Sequence, residues 1–177
     1  MRHTYIILLR AVNVAGKNII KMAELKIQLE KIFPAVKTYI QSGNIIIQSL
    51  SEKKIIQDSV ADLIKVNFGL DIEVFVLSIS ELHYILTQNP FPDSCPANKV
   101  FITLLKEVPK EENIAKLNLI NLGEEKFTLK ENVFYSYVSQ GMANAKLSNL
   151  FVEKILKVRA TGRNLNTMQK LCELINS

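Results

Sequence analysis

The sequence predicts an α+β fold made of two small subdomains, and three observations carry that expectation. Short, β-rich apolar runs alternate with longer segments of helical spacing. The alternation starts twice, once on each side of "QNPFPDSCPAN", residues 88–98, where three prolines break every periodic pattern. The chain has 177 residues, 48% of them hydrophobic and 22% charged, a size and balance suited to packed subdomains and not to a disordered chain.

Taken in order, "HTYIILLR" (3–10) reads as a strand. Tyr5, Ile7 and Leu9 share one face and Thr4, Ile6 and Leu8 the other, so both faces are largely apolar and the strand is expected to be covered on both sides. "AVNVAGKNIIK" follows as a loop, and 22–33 has helical spacing in Met22, Leu25, Leu29 and Ile32, ending near Pro34. "VKTYI" and "NIIIQS" are strands joined by "QSGN", a hairpin turn in which Gly43 can take positive φ. Residues 52–68 form an amphipathic helix that stops at Gly69, and "DIEVFVLS" is a strand. Ser78 with Glu81 is a capping box that opens a further helix. This β-α-β-β-α-β order is the ferredoxin-like pattern. After the proline segment come the strand "KVFITLLKEV", a helix at 110–121, a hairpin of "EKFTLK" and "NVFYSYV", and a helix at 145–157. The pattern thus begins again. A helix at 166–176, capped by Asn166 with Gln169, is added at the end. The expected division is therefore an N-terminal subdomain 1–89, a Pro-rich linker 90–98 and a C-terminal subdomain 99–177, both subdomains ferredoxin-like in type.

Several function classes drop out. The apolar runs are too short to cross a bilayer, and the N-terminus lacks the regions of a signal peptide. Cys95 and Cys172 form no CxxC, and His3 and His83 are far apart, so no disulfide framework, metal site or cofactor is expected. A reducing cytoplasm is the expected home. The net charge of +5 is unevenly placed: residues 1–22 carry +4, residues 141–177 carry +4, and residues 23–140 carry −3. Charge of one sign at both ends of the chain, beside its most polar motifs, points to an anionic partner.

Three polar clusters are the candidate sites. The first is Arg10, Asn13, Gly16, Lys17 and Asn18, in which a glycine lets backbone N–H groups converge while Arg10 or Lys17 supplies charge. It does not follow the GxxxxGK(S/T) phosphate-loop pattern. The second is Gln41, Ser42 and Asn44, neutral groups suited to orienting a polar ligand. The first two clusters are expected at opposite ends of their sheet. The third is "RATGRNLNT" (159–167), a loop with Arg163, Asn164 and Asn166 at a helix start, aided by Lys146 and Ser148 from "SQGMANAKLS". A guanidinium fork beside helix N–H groups suits carboxylate or phosphate. Each cluster also has a plain reading, as turn, cap or brace.

Five motifs, "LLRAVNVAGKN", "KTYIQSGN", "NPFP", "AKLSN" and "ATGRNLNT", occur in this order across nearly the whole chain. Together they resemble the uncharacterised bacterial family catalogued as domain of unknown function 1697. The resemblance assigns signature positions to Arg10, Asn13, Gly16, Gln41, Ser42, Gly43, Asn44, Lys146, Leu147, Arg163, Asn164, Asn166 and Thr167. It departs at Ala11 and Ala15, where glycine is usual, and at Leu165, where tryptophan is usual. It implies a two-subdomain α+β fold and no established activity.

Binding of an anionic or phosphate-bearing ligand, a nucleotide or nucleic acid, through the polar and basic loops is the leading functional expectation. RNA read on the open sheet is disfavoured, because "NIIIQS" is aliphatic and "YIILL" offers one aromatic, Tyr5. One alternative is a structural or protein-interaction module whose motifs brace the subdomains. Another is an enzyme acting on a small polar or phosphorylated molecule, although no His, Asp or Glu lies in any motif to act as a base.

Overall fold

The structure is a computed structural model that describes residues 2–175. Met1, Asn176 and Ser177 lie outside the described residues, and with them the last residue of the helix expected at 166–176. The chain divides into two compact units, Met1–Tyr84 with Leu171–Ser177, and Ile85–Lys170. Among the described residues no helix is long and apolar enough to cross a membrane.

The first unit runs β1 (His3–Leu9), α1 (Met22–Leu29), β2 (Lys37–Tyr39), β3 (Asn44–Ser49), α2 (Lys53–Phe68) and β4 (Val74–Ser78). Its strands form one antiparallel sheet in the order β2-β3-β1-β4. Tyr5, Ile7 and Leu9 of β1 pack in one core with Leu25 and Leu29 of α1 and Ile56, Val60 and Ile64 of α2. That spacing of four along α2 is the apolar stripe legible in the sequence. Gly69 ends α2 in the left-handed conformation, its N–H donating to Lys65 O at 3.0 Å. On the other face of β1, Ile6 and Leu8 are 0% exposed, as are Ile7 and Leu9, so both apolar faces are covered. Helix α1 stops at Leu29 rather than near residue 33, and residues 30–33 continue only as a turn in which Ile32 N–H and Phe33 N–H both donate to Leu29 O.

The second unit repeats the order with β5 (Val100–Leu105), α4 (Glu111–Asn118), β6 (Lys126–Lys130), β7 (Val133–Tyr137), α5 (Asn149–Leu156) and β8 (Ala160–Asn164). Its antiparallel sheet has the corresponding order β6-β7-β5-β8. Leu105, Leu117, Phe134, Val152 and Leu156 form its core, with Phe127 stacked on Phe134 at 5.1 Å between ring centroids. Helices α3 (Ile79–Thr87) and α6 (Leu165–Ile175) follow the last strand of each repeat. Residues 88–99 contain neither helix nor strand.

Three expectations in this half are corrected. The segment 159–167 is not a helix-linking loop: Ala160–Asn164 is strand β8, paired with β5 from Ala160 opposite Leu105 to Asn164 opposite Phe101. Its small and polar residues carry no strand periodicity, so only pairing with β5 makes it a strand. The helix cap is Asn164, not Asn166, since Thr167 N–H donates to Asn164 Oδ1 at 2.9 Å. The helix expected at 145–157 begins only at Asn149, after a short 3-10 turn at Met142–Asn144, because Ser148 caps it through Phe151 N–H at 3.3 Å.

Candidate functional site

The connection between β1 and α1 is built from backbone that most residues avoid. Ala11, Asn13, Ala15 and Asn18 take φ of 53°, 56°, 48° and 48°, and Gly16 takes 74°. Asparagine and glycine tolerate this left-handed region, whereas alanine pays a steric cost there. Ala11 and Ala15 are the two positions at which the resembled family usually has glycine, and their φ values explain that preference. Side chains hold the loop in shape. Asn13 Oδ1 accepts Ile20 N–H at 2.9 Å and its Nδ2 donates to Ile20 O at 2.9 Å, while Asn18 Nδ2 donates to Ala11 O at 2.9 Å.

Asn13 Nδ2 also donates to Gln41 O at 2.7 Å, which ties this loop to the β2–β3 turn. The two clusters expected at opposite ends of the sheet therefore lie at the same end. The register requires it: Asn44, the first residue of β3, is opposite both Leu8 near the end of β1 and Tyr39 at the end of β2. Helix α1 returns the chain, so β2 runs in the same direction as β1 and reaches the same end of the sheet, with β3 between them. Gly43, with φ of 75°, lies against β1, where a Cβ would come within 2.7 Å of Leu9 Cβ. Asn44 is fully buried and its Nδ2 donates to Tyr39 O at 3.1 Å and Ser42 Oγ at 2.9 Å. Arg10 is half-buried and its N–H donates to Glu73 O at 3.0 Å. Lys17 and Gln41 are exposed.

The remaining candidates belong to the second unit. Lys146 N–H and Leu147 N–H donate to the two oxygens of Glu125 at 2.7 and 2.8 Å, and Lys146 Nζ donates to Asn121 O at 2.9 Å. Glu125, which sits just before β6, was not among the residues singled out from the sequence, since a lone glutamate at a strand start carries no pattern. Ser148 and Asn164 are the caps already described, and Asn166 is exposed in the first turn of α6. Arg163 is 8% exposed, and its guanidinium donates to Thr161 Oγ1 at 2.9 Å and to Gly162 O at 2.8 Å. Burial disfavours the charged form and pulls its pKa down to about 10.

The fold has a solved counterpart. A conserved bacterial protein, SP0830, from Streptococcus pneumoniae superposes with a TM-score of 0.75 over 98% of each chain at 23% sequence identity. No curated protein matches the chain. The family model described as "Protein of unknown function (DUF1697)" matches residues 2–135, a stretch that holds the β1–α1 connection and the β2–β3 turn of the first unit and stops short of the motifs at 146–167. The chain belongs to the DUF1697 family.

Proposed function

We propose that the protein binds a small phosphate-bearing anion, of the nucleotide class, on the end of the first sheet formed by residues 10–18 and 40–44. One observation carries this reading. Four non-glycine residues of a single loop are held in the left-handed region, whereas the equivalent connection in the second unit, residues 106–110, contains none. A β-α-β-β-α-β unit therefore closes without such a loop, and strain of this kind concentrates where backbone must present itself to a ligand. Gly16 has open space around the position of a Cβ, which leaves its peptide groups approachable. Lys17 and Arg10 would supply the charge, and Gln41 and Ser42 the orienting hydrogen bonds. Lys146, Ser148, Arg163, Asn164 and Asn166 would contribute to a second, separate region of the same preference. This reading takes the two units as ferredoxin-like and the chain as cytoplasmic.

A second reading, that the motifs brace the fold, has its own support. Asn13, Asn44, Ser148, Asn164 and Arg163 all direct hydrogen bonds at the backbone or side chains of their own loops and strands. The two readings part on the side chains of Lys17 and Gln41, which are exposed and make no hydrogen bond among the described residues, although the backbone of both takes part in the loop.

Thermal unfolding with inorganic phosphate, pyrophosphate and ATP, on the parent, Lys17→Ala and Gln41→Ala, tests the proposal. A ligand present at a hundred times its Kd should stabilise the parent by about 3 kcal/mol. Both variants should melt like the parent alone and lose most of that gain. No stabilisation by any of the three anions would sink the proposal. Steeply salt-dependent binding of a short RNA, with no response to ATP, would replace it with a nucleic-acid partner.

A further inference from the structure

The first unit holds an open cavity of about 540 Å3 between the turn after α1 and the second half of α2. Lys31 and Ile32 line it from the turn, and Asp62, Leu63 and Val66 line it from α2. Ser49 lines it too, at the opposite end of β3 from Asn44, so the cavity lies away from residues 40–44.

The fold uses only part of this apolar lining. Ile56, Val60 and Ile64 are the residues that α2 buries in the core, and Leu63 packs against that core from beside them. Val66, three residues after Leu63 and on the same face of the helix, is 82% exposed, and Ile32 on the other wall is 49% exposed. Single exposed aliphatic residues are ordinary, but aliphatic residues on both walls of one cavity form a patch suited to a contact.

The charges of the lining are of both signs. Nearby charges pair within a helical turn, Lys26 with Glu30 at 3.7 Å and Lys54 with Asp58 at 2.6 Å. Lys31 and Asp62 form no ion pair among the described residues, and Lys31 Nζ donates to Gln28 Oε1 at 2.6 Å. One wall thus offers a cation and the other an anion.

We propose that this cavity is half of an interface between two copies of this chain related by a two-fold axis. In such an interface the same patch serves on both sides, and a residue pair made one way is made again in reverse. Lys31 would meet Asp62 of the second copy, and Asp62 would meet its Lys31. Ile32, Leu63 and Val66 of the two copies would close over one another. A patch with a cation on one wall, an anion on the other and aliphatic residues on both is complementary to itself. A partner of one charge sign would instead set Lys31 or Asp62 against its like. The inference is independent of the phosphate reading, since residues 10–18 and 40–44 stay open in such a dimer.

Light scattering on the full chain at about 100 μM tests the proposal, because a dimer with a Kd of roughly 10 μM is mostly assembled there. The parent should show the mass of two chains and not the 20.1 kDa of one. Lys31→Glu, Asp62→Lys and Val66→Glu each change an exposed residue and should keep the fold, checked by thermal unfolding. Each should weaken association at least about tenfold. An equimolar mixture of Lys31→Glu and Asp62→Lys should recover the dimer, because both pairs across the axis are again of opposite sign. A small ligand, or a partner other than this chain, predicts a monomeric parent. The proposal is overturned by a monomeric parent, by variants that associate like the parent, or by a mixture that stays monomeric.

Discussion

The two units share an order of elements, a strand order and much of their local bonding, yet they finish one end of the sheet differently. Leu9 N–H bonds Gly43 O in the first, and Leu105 N–H bonds Asn132 O in the second; Arg10 N–H bonds Glu73 O, and Lys106 N–H bonds Arg159 O. At that end the first unit uses a long connection, 10–21, and a four-residue turn, 40–43, with left-handed Ala11, Asn13, Ala15, Asn18 and Ile40. The second uses 106–110 and the two-residue turn at 131–132. At the other end the units agree: Ser78 caps α3 as Asn164 caps α6. The fold needs the caps and the pairing, since both repeats have them. It does not need the elaborate loops, which is why these are the better functional candidates.

The sheets differ inside as well. Positions filled by Ile7, Ile47, Phe75 and Leu77 in the first unit are filled by Thr103, Ser136, Thr161 and Arg163 in the second. The second sheet can therefore hold a buried guanidinium where the first tolerates only apolar groups. The largest test of that contrast is Leu8→Asp. An unpaired carboxylate at a fully buried position should destabilise the protein by about 4 kcal/mol or more in urea unfolding. A loss under about 1 kcal/mol would mean that the first sheet is not apolar on both faces.

Arg163→Lys comes next. A single ammonium cannot reproduce the fork that reaches both Thr161 Oγ1 and Gly162 O, so ligand-free stability should fall by about 1–3 kcal/mol. An unchanged melting temperature would return Arg163 to the ligand-contact role expected from the sequence.

Smaller and opposite in sign is Ala15→Gly. Glycine relieves the steric cost at φ of 48°, and after its entropic penalty a gain of about 0.5–1 kcal/mol should remain. Equal or lower stability would show that the loop is not strained at that residue.

The smallest effect separates the two caps by pH. Burial raises the pKa of Glu81, but hydrogen bonds from Lys53 and from Ser78 N–H and Oγ outweigh it and hold the carboxyl below its ordinary 4.5. A carboxylate depressed by folding stabilises above its unfolded pKa and loses that contribution as pH falls through the folded value. Glu81→Gln should therefore lower stability at pH 7 by under about 1 kcal/mol, since the pair with Lys53 is largely exposed, and the deficit should shrink as pH falls below the ordinary 4.5 and vanish once it passes the folded value. At the equivalent cap position α6 has Thr167, so Thr167→Ser should show no such pH dependence. A pH-independent deficit in Glu81→Gln would remove the cap's electrostatic part.

How much was legible varies by element. The α2 stripe, the apolar faces of β1 and the Ser78–Glu81 box depend on neighbours within a turn or two, and short-range patterns report them well. The Asn113 amide that donates to Leu156 O and the Glu125 carboxylate that receives Lys146 and Leu147 depend on partners more than twenty residues away, so no local pattern marks them. The same holds for Asn13, whose side chain reads as an ordinary turn former until Gln41 is brought beside it.

By itself the sequence determined the α+β class, the repeated order of elements, the covered first strand and the family, because hydrophobic periodicity and turn chemistry are written locally. Tertiary structure alone decided that "ATGRN" is a strand and that the first two polar clusters share one end of a sheet. It alone decided that Arg163 is buried. Those outcomes rest on strand register between distant segments, and register assigns a residue's face and neighbours through hydrogen bonds that its own stretch of sequence does not contain.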